Sequence, residues 1–309
     1  MRLRLLDIDG SLPVQPELAD EVARGQAQLI DLRRLERPLR LWASRAELDR
    51  LVDHLAGLAP PPGDGPMVTF YGSGDYHHLA APLLEAVAEP VTVVHFDNHP
   101  DWIRWPKTWN CGGWVSRALD LPQVARVITL GPSGEDLCQP QFKGGNVAAL
   151  ASGRLELFPW RAAPSRAWGR IGDGAGHLRK GDWLHWRCLA DVKNWPDFIA
   201  GLADSLPTES VWVSIDKDVL RPEDAVTNWD QGMMPLDFLL TAMDRLSRRR
   251  RIVGVDVCGE YSPPRFDGLF KRFEAWRDHP PVRPDAALAM EVNDRTNRAL
   301  VAALRTLLP

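Results

Sequence analysis

Val91-Thr92-Val93-Val94-His95-Phe96-Asp97-Asn98-His99-Pro100-Asp101 is the stretch whose reading settles the fold class. Its first six residues are mostly β-branched or aromatic, and apolar residues do not alternate with polar ones. Strands of that composition are buried on both faces, as in a parallel sheet covered by helices. The five residues that follow are polar and end in Pro100-Asp101. Asp97, His99 and Asp101 stand at i, i+2 and i+4, and on extended backbone alternate side chains share a face. One acid at a strand end is ordinary turn chemistry. An acid, an imidazole and a second acid in phase form a donor set that suits Mn²⁺, Zn²⁺ or Fe²⁺.

The pattern recurs on either side. Apolar runs cover 67–71, 126–130, 211–215 and 252–257, ending at Gly72, Gly131, Asp216 and close to Glu260. Helical spacing of apolar residues marks 47–58, 78–88, 113–120, 196–205, 236–247 and 287–307. Buried strands alternating with amphipathic helices indicate an α/β protein with a parallel sheet. The proline- and glycine-rich stretch 59–66 reads as a turn, and 133–190, rich in Gly, Pro and Trp, carries no regular pattern. Asp75, Asp97, Asp216 and Glu260 all fall at or just past strand C-terminal ends. Ligands bind at that edge of an open α/β sheet. Carboxylates converging there repel one another unless a cation or proton separates them.

Composition narrows the function classes. The 309 residues carry a net charge of −4, so no bulk electrostatic attraction draws the chain to nucleic acid or a membrane surface. No segment reaches the ~18 consecutive apolar residues of a membrane span. The N-terminus turns acidic at Asp7, too early for a secretory signal, and Cys111, Cys138, Cys188 and Cys258 form no CxxC pair. A reducing cytoplasm is the expected location. We expect residues 1–309 to form a single α/β domain, with 1–60 as its less regular N-terminal portion. The oddity is 13 Trp against 3 Tyr and 9 Phe.

Three further motifs complete the constellation. Gly72-Ser73-Gly74-Asp75-Tyr76-His77-His78 is a glycine turn that presents imidazoles after a strand; Asp75 also suits a helix N-cap. Ser214-Ile215-Asp216-Lys217-Asp218 puts two carboxylates on one face at the end of a buried strand. Asp256-Val257-Cys258-Gly259-Glu260-Tyr261-Ser262-Pro263 delivers another acid before a proline stop.

In this order the four motifs resemble those of the ureohydrolases (arginase, agmatinase and formimidoylglutamase) of the arginase/deacetylase superfamily. The resemblance runs from about residue 68 to 265. It implies a three-layer α/β/α sandwich with a mainly parallel, roughly eight-stranded sheet. It also implies two divalent metal ions, usually Mn²⁺, with Zn²⁺, Fe²⁺ and Co²⁺ as alternatives. By matching motif, His77, Asp97, Asp101 and Asp216 would hold the first metal. Asp97, His99, Asp216 and Asp218 would hold the second, with Asp97 and Asp216 bridging. The activity implied is cleavage of a non-peptide C–N bond in a small guanidine, amidine or formimino substrate, by attack of a metal-bridging hydroxide that Asp101 steers. Glu260 matches the acid that grips the substrate, with Gly259 as one extra residue before it. Homo-oligomers are common in the family.

The chain also departs from that pattern. The loop that in arginase carries a proton-shuttling His reads Thr108-Trp109-Asn110-Cys111-Gly112-Gly113-Trp114, without a His. His78 is the substitute general acid in this reading, and Cys111 the second choice. The His77-His78 pair also resembles that of the single-zinc deacetylases, and the diverged substrate loops leave a non-catalytic binding protein as a third reading. Asp101 and Asp218 favour two metals. Arg248-Arg249-Arg250-Arg251 reads as a solvated helix C-terminus. Trp102, Trp105, Trp109, Trp114 and Trp229 lie in the two loops expected to wall the pocket. They suggest a dry aromatic mouth, with Trp105, Trp109, Asn110 and Trp229 as substrate contacts.

Overall fold

The computed structural model describes residues 1–56, 65–104, 109–133, 135–281 and 283–308. Leu58, most of the 59–66 turn, Trp105, Lys107 and Thr108 lie outside the described residues. Eight strands form one sheet: β1 (Arg2–Asp7), β2 (Ala27–Asp31), β3 (Met67–Phe70), β4 (Val91–Phe96), β5 (Val124–Leu130), β6 (Leu155–Phe158), β7 (Ser210–Asp216) and β8 (Arg251–Cys258). Their spatial order is β2-β1-β3-β8-β7-β4-β5-β6, and every pairing is parallel. The expected α/β class and strand number are therefore observed, and the sheet is wholly parallel.

All six residues of β4 and all seven of β7 are buried. Side-chain alternation sends Val94 and Phe96 to one face and Val91 and Val93 to the other. On the first face the core includes Leu5, Phe70, Val213 and Val257. It is closed by α1 (Pro16–Ala23), α5 (Trp195–Asp204), α6 (Leu236–Ser247) and α8 (Ala286–Leu307). On the second face Leu6, Val127 and Leu155 meet α2 (Arg45–Ala56), α3 (Ala80–Glu85) and α4 (Trp114–Asp120). Each such fully buried aliphatic side chain contributes about 1.5–3 kcal/mol. Asn194 caps α5 by accepting from the Asp197 N–H at 3.2 Å, and Asp285 caps α8 through the Leu288 N–H at 2.9 Å.

Helix α7 (Gly268–Asp278), like α1, lies outside the predicted set. Leu269, Phe270, Phe273 and Trp276 on it are exposed, so its apolar spacing has no sheet to report on. The stretch 133–190 holds β6, a short helix Val147–Ala151, and an antiparallel three-stranded sheet of Ser165–Arg166, His177–Lys180 and Trp183–Trp186. No helix among the described residues is long and apolar enough to cross a membrane.

Candidate metal centre

Register builds the site. Ile215 of β7 pairs with Phe96 of β4, so Asp97 and Asp216 leave neighbouring strands side by side. A turn after β3 brings the third element. The Ser73 hydroxyl accepts from the Asp75 N–H at 3.2 Å and starts a 3₁₀ helix, Gly74–Leu79, that carries His77 inward. Its backbone passes so close to the cluster that a Cβ on Gly74 would stand 2.5 Å from Asp216 Oδ2. Only glycine allows that approach.

Four donors converge in a first group. His77 Nδ1 lies 3.0 Å from Asp97 Oδ2, 3.3 Å from Asp101 Oδ2 and 3.5 Å from Asp216 Oδ2. The other side of the ring decides what that nitrogen is. His77 Nε2 is 2.9 Å from the Ser214 hydroxyl, and that hydroxyl donates to Asp256 Oδ1 at 2.9 Å. Having given away its single proton, Ser214 must accept from Nε2–H. In the neutral ring Nδ1 is then a bare lone pair facing three carboxylate oxygens, and it has no hydrogen-bond partner. Acceptors aimed at acceptors in a buried site are reconciled by a cation.

The second group lies alongside. His99 Nδ1 is 2.9 Å from Asp218 Oδ2 and 3.4 Å from Asp97 Oδ1. Asp97 thus turns one oxygen to each group. Asp216 Oδ1 accepts from the Asp218 N–H at 3.0 Å, which fixes the two acids relative to each other. Imidazole nitrogens with carboxylate oxygens fit a divalent transition ion in both groups.

Electrostatics describe the same demand. Burial, then the charge of Asp97, pushes the Asp101 carboxyl up to about 8. Burial also raises Asp216 and Asp218, aided by their acidic neighbours. Burial opposes charge on Asp97 as well, yet His95, with His77 and His99 beside it, holds it well below the usual range. His77 and His99 rise well above an ordinary imidazole against the same burial, through the acidic groups around them. The site retains protons where a metal would place positive charge.

The candidate centre opens into a cleft of about 1130 Å³. Trp42, Ile103, Trp229 and Phe270 are among its apolar walls. Beyond the ligands, Asp136, Asp230, Glu274 and Asp278 face Lys143 and Arg277.

No protein-family model matches the chain. An uncharacterized protein of Thermotoga maritima is 26% identical over 199 residues, 64% of this chain. The match spans 60% of that relative's length. Among solved structures, arginase from Bacillus subtilis superposes with a TM-score of 0.60 at 13% identity, covering 98% of each chain. Formimidoylglutamase from Bacillus subtilis gives 0.58 at 13%, covering 99% of this chain and 87% of its own. A hypothetical agmatinase from Burkholderia thailandensis gives 0.55 at 13%, over 99% and 86%.

The chain has the arginase fold.

Within that fold the six expected ligands, His77, Asp97, His99, Asp101, Asp216 and Asp218, are brought together in the two groups. Several other expected residues are not. His78 is fully buried, both ring nitrogens lack partners, and it does not line the cleft. Burial, then Lys271 and His77, drives it down to about 3. A 3₁₀ helix turns about a third of a circle per residue, so two adjacent histidines cannot face the same centre.

Glu260 is also withdrawn. Lys217 opens a 3₁₀ turn, Lys217–Val219, beyond the end of β7, and its ammonium binds Glu260 in the interior. Gln15 and Asn297 complete that carboxylate at 3.1 and 2.8 Å. A Cβ on Gly259, at φ 93°, would stand 2.5 Å from Asp216 Oδ1, so the turn that redirects Glu260 depends on that glycine. Asp75 is held by Arg40 at 2.7 Å, His279 at 2.9 Å and the Trp229 N–H at 3.0 Å. Of the four acids expected in one crevice, Asp97 and Asp216 meet there.

The tryptophans divide. Trp229 lines the cleft, its ring 5.6 Å from His99, and Asn110 lines it too. Trp109 lies under the Arg45 guanidinium at 5.1 Å and is not part of the cleft wall. Trp114 is buried beneath the centre, 4.9 Å from the rings of His77 and His95, and donates to Asp101 Oδ2 at 2.9 Å. Trp105 lies outside the described residues.

Sequence reading missed His95, whose Nε2 is 2.8 Å from Asp97 Oδ2 and whose Nδ1 is 3.1 Å from the Thr129 hydroxyl. The signal was available, because His95 precedes Asp97 by two and shares its face. It also missed Trp42, which reaches the cleft from a two-residue strand, Trp42–Ala43, with no periodicity to mark it.

Proposed function

We propose that the chain is a ureohydrolase-type metallohydrolase that cleaves a non-peptide C–N bond in a small guanidine, amidine or formimino compound. The observation that carries this reading is the bare His77 Nδ1 facing three carboxylates, with Asp97 shared by a second imidazole–carboxylate group. His77, Asp97, Asp101 and Asp216 would hold one divalent ion. Asp97, His99, Asp216 and Asp218 would hold the other, with Mn²⁺ the favoured metal. Such a pair supplies Lewis acidity and a water acidified to near neutral pH.

The chain's own residues prepare the rest. Ser214 and Asp256 fix the His77 tautomer, His95 orients Asp97, and the Trp114 N–H orients Asp101. The acids of the cleft beyond the ligands outnumber Lys143 and Arg277, which draws in a cationic amidine or guanidine. Trp42, Trp229 and Phe270 exclude water around it. With His78 buried elsewhere, Cys111 is the proton donor we assign to the leaving amine. It lines the cleft, and burial, then Asp101 and Asp75, keeps its thiol protonated.

The withdrawal of Glu260 favours a second reading, a metal-holding protein without turnover. One experiment separates the two. Purified protein is reconstituted with Mn²⁺, its metal content measured, and release of ammonia, urea or formamide followed over guanidino, formimino and amide compounds. Near two equivalents of metal, lost in Asp97→Ala and Asp216→Ala together with turnover, support the hydrolase. Protein that never holds stoichiometric metal refutes both readings, and metal without turnover leaves the second.

A further inference from the structure

Helix α7 separates the metal cleft from a second cleft of about 840 Å³. Arg37, Arg265, Arg272 and Arg283 line this cleft, and Asp230 is the one carboxylate among its lining residues. All four arginines are exposed, and the Arg265 guanidinium stands 3.7 Å from Glu36. Arg37, Arg272 and Arg283 have no ion-pair partner among the described residues. In a chain of net charge −4, four guanidiniums around one concavity are a local excess of positive charge. They repel one another until an anion enters.

The other walls are aromatic. Trp276 is 78% exposed beside the arginines, and Trp229 forms the wall shared with the metal cleft. An indole left that open leaves a large flat apolar face in water, where a planar ring would cover it. The cleft volume lies within the ~300–1,000 Å³ of small-molecule sites. A lone carboxylate satisfies one guanidinium fork, whereas a phosphate has oxygens for several.

We propose that this second cleft binds a nucleoside phosphate, with the base against Trp276 and the phosphate among the arginines. The site is built from residues outside the metal centre, so it stands or falls independently of the hydrolase reading.

Isothermal calorimetry on the metal-loaded protein tests it with AMP, adenosine, ribose 5-phosphate and inorganic phosphate. AMP is expected to bind saturably with a sub-millimolar Kd. Adenosine and ribose 5-phosphate should each bind at least about tenfold more weakly. Arg272→Ala/Arg283→Ala, both on the surface and harmless to folding, should weaken AMP by at least about tenfold. Trp276→Ala should weaken AMP while leaving inorganic phosphate unchanged. No saturable AMP binding at about 1 mM, the reach of a −4 kcal/mol interaction, overturns the proposal. So does AMP binding that survives the double arginine variant, or inorganic phosphate binding as tightly as AMP.

Discussion

Replacing Ser214 by alanine tests whether the interior of the sheet sets the metal-ligand state of His77. The hydroxyl accepts from His77 Nε2 at 2.9 Å and donates to Asp256 Oδ1 at 2.9 Å. In Ser214→Ala the buried Nε2–H loses its acceptor, which costs about 1–3 kcal/mol. The ring can escape by moving its proton to Nδ1, and that nitrogen then ceases to be a ligand. Asp256 is buffered, because Tyr71 donates to it at 2.6 Å and the Trp212 N–H also reaches it. The loss therefore falls on His77. Disrupting the partner of a ligating histidine weakens metal about 10–100-fold, or about 1.4–2.7 kcal/mol. His99 makes no contact with Ser214, and its Nδ1 faces Asp218 and Asp97. Titration with Mn²⁺ against a competing chelator should resolve one weakened equivalent and one changed by less than about threefold. Equal weakening of both, or of neither, would refute the relay from Asp256 through Ser214 to His77.

Other outcomes follow from the same geometry. Metal-free protein should lose stability as pH rises from about 6.5 towards 8, the reverse of ordinary acid denaturation. Asp101, raised to about 8 by burial and Asp97, contributes stability that is complete below its unfolded value and lost as pH passes its folded one. The raised His77, His99, Asp216 and Asp218 act in the same sense; Asp97, depressed, and His78 and His95, lowered to about 3 and about 4, oppose them only below about pH 6.5, the ordinary imidazole value. Melting curves of chelator-treated protein that stay level or rise with pH would contradict this. Lys217→Met should destabilise the chain by about 3–5 kcal/mol by stranding Glu260, and Lys217→Met/Glu260→Gln should recover most of it in denaturant titrations. Additive losses would mean the pair is not coupled. Cys111→Ala should lower kcat about 100-fold or more at unchanged metal content on whichever compound is turned over. An unchanged kcat would remove Cys111 as the proton donor.

What could be read in the sequence was whatever two-residue periodicity controls. The continuous apolar runs of β4 and β7 announced a covered parallel sheet, and the acids in phase at their ends announced which side chains would meet. Parity failed where the backbone leaves the strand. The 3₁₀ helix Gly74–Leu79 separates His77 from His78, and the turn at Gly259 sends Glu260 to Lys217. Lys217 likewise lies past the strand, in the 3₁₀ turn Lys217–Val219, and turns its ammonium to Glu260. The tryptophans were legible only as an excess. Trp114 serves the core, Trp102 is buried at the cleft's floor, and Trp42 reaches the cleft from a segment too short for any pattern.

The site thus divides into parts with different physical supports. The expected ligands leave the ends of β4 and β7 or an adjoining turn, locked by register and by hydrogen bonds that reach into the interior. The cleft walls include elements outside that sheet, namely Trp42, the Asn110–Gly112 segment, Trp229 and the outer helix α7. Sheet register does not constrain those walls, so they can change while the ligand set persists. In this chain the six expected ligands lie together, whereas the acid expected to grip a substrate is bound to Lys217. Among the described residues, a cleft whose apolar walls include Trp42, Ile103, Trp229 and Phe270 offers an α-amino acid carboxylate no cations beyond Lys143 and Arg277. Arg277 already holds Asp278 at 2.7 Å. A compound with a cationic amidine and an apolar remainder matches these walls better than arginine does, and it belongs at the head of the substrate panel.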